Sequence, residues 1–156
     1  MTREIAKFRD DLVWLLSHIV ETLDGLEEAE VNWRPPAKDA NSLLALATHT
    51  LGAAEAHVLQ LLAGQQIERV RASEFTVSGG AEPVRARLRD LTSRITAVLD
   101  GLDPAELERE RNTPGGSSSG RDVLLWALTH AAQHYGAALL TRDLVIAART
   151  GPPVVR

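Results

Sequence analysis

Apolar side chains recur along this chain at steps of three and four residues, the period of an amphipathic helix. Ile5, Phe8, Leu12, Leu15, Leu16, Ile19, Leu23 and Leu26 follow that period and predict a first long helix from Thr2 to Leu26. Asn32-Trp33-Arg34-Pro35-Pro36 breaks it, because proline lacks an amide donor and restricts the residue before it. Asn41 and Ser42 offer N-cap oxygens to a second helix that runs to about Ala63-Gly64. Gln65 to Gly80 is polar and shows no clear period, so it reads as a loop, with Glu74-Phe75-Thr76-Val77 a candidate for extended chain. Val84, Leu88, Leu91, Ile95, Val98 and Leu102 alternate steps of four and three, the seam of a third helix. Asp103-Pro104-Ala105-Glu106 has a cap, a proline at the first helical position and an acid in the first turn; it predicts a short helix ending near Arg111. Asn112 to Gly120 reads as a second loop. Ser119-Gly120-Arg121-Asp122 resembles a capping box and opens a fourth long helix, to about Ala148.

The pattern predicts an all-α protein, a four-helix bundle with a short extra helix between the third and fourth long helices. Residues 1–150 form one domain in this reading, and 151–156, with Gly151-Pro152-Pro153, a frayed tail. No internal repeat is present. The chain's 156 residues suffice for a self-supporting core without a disulfide or structural metal.

Composition narrows the chemistry. Cysteine is absent, which removes disulfides, Cys-zinc sites, iron–sulfur clusters and a protein thiol nucleophile. Lys+Arg 17 against Asp+Glu 21 gives a net charge of −4, which argues against a nucleic-acid binder, and 4% aromatics argue against a base-stacking platform. No apolar run reaches the roughly 18–20 residues of a membrane span, and the N-terminus has no signal-peptide pattern, so the expectation is a cytoplasmic protein without a membrane partner.

The five histidines are the reactive inventory left. His130-Ala131-Ala132-Gln133-His134 lies on the fourth long helix, and residues four apart share one helix face. Two imidazoles so placed can chelate one ion. Ala131 stands where a zinc protease would carry its general base, so that activity is not expected. Catalytic zinc sites usually have three protein ligands. His49 is the best third, facing the small residues Ala45, Gly52, Ala53 and Ala56 on the second helix. That stripe suits either close helix packing or room for a metal and its ligand. His57 and His18 are expected at the surface or rim. Di-iron Glu-x-x-His pairs and a phosphate-binding glycine loop are absent.

The order of these features resembles the DinB-like family: Gly25-Leu26-Glu27-Glu28 to Trp33-Arg34-Pro35, then Asn41-Ser42-Leu43 to His49, then His130, His134 and Gly136 in an H-x-x-x-H-x-G helix. Relatives of that family include thiol-dependent S-transferases and maleylpyruvate isomerases. The resemblance implies a four-helix bundle, a homodimer, and a divalent metal such as zinc, nickel or iron held by His49, His130 and His134. It also implies a small-molecule substrate and a low-molecular-weight thiol as cosubstrate. Arg142 matches an Arg common on the last helix, which could hold a carboxylate or the anionic part of a thiol. The chain departs from the family at Ala137, where Gln is common, and at Glu55, where the acid is often one position nearer. Two other functions are compatible with the sequence: a non-catalytic dimeric bundle, suggested by the nearly all-round apolar fourth helix, and a stress-related metal binder without turnover.

Overall fold

A computed structural model describes residues 1–150. Thr2 caps the first helix, α1 (Arg3–Glu21), its hydroxyl accepting from the Ile5 amide at 3.3 Å. The face carrying Ile5, Leu12, Leu16 and Ile19 is buried, as the period predicted. α1 ends earlier than Leu26, in turns that reach Gly25 at a φ of +70°. A short α2 (Glu28–Val31) follows, with Glu27 and Glu30 in a reciprocal capping box.

Ser42 caps α3 (Leu43–Glu55), accepting from the Ala45 amide at 3.2 Å. α3 is buried almost all round, which its continuous run of Leu and Ala allows. It continues as a π-helical segment, Ala56–Leu62, in which the Ala63 amide reaches back to the Val58 carbonyl. The polar stretch after it is not all loop: α4 (Arg71–Glu74) is one helical turn. Glu74 is helical and Phe75 has helical backbone angles, so this segment is not extended.

α5 (Glu82–Asp100) carries Pro83 in its first turn and buries Val84, Leu91, Ile95 and Leu99. The short extra helix is present as a 3-10 turn, Pro104–Leu107. It does not reach Arg111. Instead β1 (Glu110–Thr113) and β2 (Gly116–Ser119) pair antiparallel, Glu110 with Ser119 and Thr113 with Gly116. This corrects the reading of 112–120 as a loop. Both strands are polar on both faces, so no hydrophobic alternation marks them; the turn requires Gly116 at a φ of +115°. α6 (Gly120–Thr150) is the last helix, and the tail predicted for 151–156 lies outside the described residues.

α1, α3, α5 and α6 form the bundle, with α1 and α3 both packed on α5 and α6. The expected all-α bundle is therefore the fold, with the hairpin as its small β addition. α3 packs against α6, and these two helices carry the three candidate ligand histidines.

Candidate metal centre

The structure brings His49 on α3 together with His130 and His134 on α6. One ring nitrogen from each lies within 4.8 Å of the other two, an arrangement that could hold a metal ion. His49 Nε2 and His130 Nε2 are 3.2 Å apart. The ring centroids are 4.5 Å apart for His130 and His134, and 4.9 Å for His49 and His134. His49 is 3% exposed and the two on α6 are half-buried.

Burial disfavours the charged imidazolium and lowers the pKa of all three. For His130 the fall is to about 4, with the neighbouring histidines adding to the effect of burial. For His49 the nearby Glu74 carboxylate opposes burial without overcoming it. The three rings are neutral at pH 7, the form that offers a lone pair.

The surroundings of His49 come from the stretch between α3 and α5. Glu74 Oε2 lies 2.8 Å from His49 Nδ1. Arg69 holds the same carboxylate from the other side, at 2.7 and 2.9 Å. The Phe75 ring lies against His49 with centroids 4.5 Å apart, and the Arg71 guanidinium sits over Phe75. Sequence reading missed these residues. They lie on α4 and its flanks, which carry no period; only the acid in a polar stretch hinted at a partner. A polar cleft of about 510 Å³ borders Glu74 and Arg69, and Thr48, Glu68 and Arg87 also line it. The Thr48 hydroxyl is buried without a hydrogen-bond partner.

The other histidines are placed differently. His57, on the π-helical segment, stacks on Trp126 at 5.5 Å and lies 6.0 Å from the His130 ring. The residue is partly exposed, as expected, but its Nδ1 is buried and has no partner. Burial and the Arg69 charge hold its pKa down to about 4. His18 stacks on Trp14 with centroids 4.0 Å apart, and its Nδ1 lies 2.8 Å from the Trp14 carbonyl. Arg142, two turns beyond His134, donates to the Thr22 carbonyl at the end of α1. Glu55 is taken up by Arg87 and Arg94, each at 2.9 Å. Ala137 is exposed on α6.

A helical bundle with a convergent histidine triad defines a class of protein that builds polar sites between facing helices. The family model of the DinB superfamily matches residues 11–138, and the chain belongs to that superfamily. Among solved structures, a conserved protein from Enterococcus faecalis is similar at a TM-score of 0.73 and 18% identity, covering 94% of this chain and 99% of its own. A DinB-like protein from Bacillus subtilis is similar at a TM-score of 0.64 and 20% identity, covering 91% and 92%. These likenesses concern the fold. No curated protein matches the chain.

Proposed function

We propose that this protein binds a divalent metal, zinc, nickel or iron, through His49, His130 and His134, and uses it with a low-molecular-weight thiol in an S-transfer or isomerisation reaction on a small molecule. The observation that carries the metal reading is the convergence of three imidazoles, one nitrogen of each within 4.8 Å of the other two. Two Nε2 atoms 3.2 Å apart suit a shared ion: a tetrahedral zinc with bonds of about 2.0–2.1 Å sets its ligands about 3.3 Å apart. Three imidazoles also suit nickel and iron, so the donor set leaves the metal open.

A bound ion would hold a thiol as thiolate and act as a Lewis acid. The chain's own residues supply the rest. With no cysteine in the chain, the sulfur must come from a bound small molecule. His49, His130 and His134 leave the remaining positions around an ion to that molecule and the substrate. Arg142 spends one guanidinium nitrogen on the Thr22 carbonyl and keeps other donors for an anionic group of the thiol. Residues 1–150 act as one domain in this reading, in the cytoplasm and as a homodimer.

One observation favours a second reading, a dimeric bundle without turnover. α6 leaves Leu139, Leu140 and Leu144 exposed on its surface, with Leu140 63% exposed, a face that a second copy would cover.

Metal content separates these readings. Untagged protein incubated with zinc, nickel and iron, then dialysed, is expected to carry one ion per chain by elemental mass spectrometry. His49→Ala, His130→Ala and His134→Ala should each lose most of it. Wild-type protein that stays empty would refute the metal reading. A loaded protein that binds thiols yet converts no electrophile across a substrate panel would favour the non-catalytic reading.

A further inference from the structure

We propose that Glu74 is the positioning residue of the metal centre, setting the ring orientation and tautomer of His49 so that its Nε2 lone pair faces the ion. The inference rests on the three-histidine reading and assigns the residue that acts through one of those ligands.

Glu74 is buried, and the Arg69 guanidinium donates to both of its oxygens, at 2.7 and 2.9 Å. A carboxylate bridged to a guanidinium in this way is the charged form, which accepts and cannot donate. The 2.8 Å contact with His49 therefore places the proton on Nδ1. In a neutral ring the lone pair is then on Nε2, the atom that faces His130 Nε2 at 3.2 Å. Ligating histidines commonly give their second nitrogen's proton to a carboxylate in this way, which fixes the ring and raises its basicity.

Two further features show that the carboxylate's place is built into the fold. Arg69 grips both oxygens, so the carboxylate cannot rotate away from His49. α3 opens a notch for it at Gly52: a Cβ there would stand 2.1 Å from Glu74 Oε1. The notch admits the carboxylate and the Arg69 Nε together, and what a plain buried ion pair between Glu74 and Arg69 would not need is the second oxygen aimed at His49 Nδ1.

The test uses full-length protein stripped of metal: wild type, Glu74→Ala, Glu74→Gln and Gly52→Ala. Zinc affinity is measured by competition with a chromophoric chelator. Imidazole tautomers are read from long-range ¹H–¹⁵N spectra of the metal-free protein. Wild-type His49 should carry its proton on Nδ1, and Glu74→Ala should lose that preference. Zinc binding should weaken roughly 10–100-fold in Glu74→Ala. The loss should be smaller in Glu74→Gln, whose amide oxygen still accepts. Gly52→Ala displaces the carboxylate without removing it and should weaken binding as well.

A structural ion pair alone would lower the metal-free melting temperature and leave zinc affinity unchanged, which would overturn the proposal. So would an Nε2–H tautomer of His49 in the wild type, a result that needs no variant to fold. Wild-type protein that binds zinc while the folded variants bind it equally overturns only the positioning role. Wild-type protein that binds no divalent metal overturns the three-histidine reading and this inference together.

Discussion

At the scale of single residues, this protein spends burial on keeping imidazoles neutral. His130 and His57 are both held down to about 4, against an ordinary value of 6.5. Between those values the unfolded chain binds protons that the folded chain refuses. Stability from these groups is therefore fully present above pH 6.5 and is lost as pH falls toward 4. Metal-free protein should melt at a lower temperature at pH 5 than at pH 7, each lost kcal/mol showing as roughly 2–4 °C for a chain of this size. His57→Phe should flatten that slope by removing one of the titrating rings. Calorimetry across this range checks both, and a melting temperature independent of pH would contradict them. Metal binding should add to the slope, because protons compete with the ion for the same lone pairs.

At the scale of elements, the junction that starts α6 presses backbone against backbone. A Cβ on Gly120 would stand 2.2 Å from the Glu106 carbonyl oxygen. The Arg111 guanidinium, also pressed against Gly120, ties this region together by donating to the Glu106 and Arg109 carbonyls and to Leu62 at the end of the π-helical segment. Gly120→Ala must push backbone apart, at a cost of about 1–3 kcal/mol. The melting temperature should drop by roughly 2–12 °C, and α6, which carries two of the three histidines, should begin out of register. None of this is legible from periodicity. The hairpin before Gly120 is polar on both faces, and its contacts join residues that share no repeat. α4 is equally silent, a single turn whose buried residue is Glu74. The four long helices could be read because each places an apolar residue at nearly every third or fourth position.

At the scale of the whole molecule, the exposed apolar face of α6 predicts self-association. Leu140 lies in it, beside Leu139 and Leu144. If a second copy covers this face, Leu140→Glu buries an unpaired carboxylate and should dissociate the dimer. Light-scattering mass at increasing concentration reads both states. A wild-type monomer throughout would refute the dimer, and a Leu140→Glu protein that stays dimeric would place the interface elsewhere.

The amino-acid sequence by itself determined the four long helices, the bundle they make and the histidine pair on α6, because side chains four apart on one helix meet whatever the tertiary fold does. It also singled out His49, but left its small-residue stripe open between packing and a ligand site. Only the tertiary structure decided that α3 lies against α6 with the rings converging, and that Gly52 opens toward Glu74. The reason is range. Helical period is a property of neighbours along the chain. The contact between His49 and Glu74 joins positions 25 residues apart through an irregular segment, and no local period encodes it.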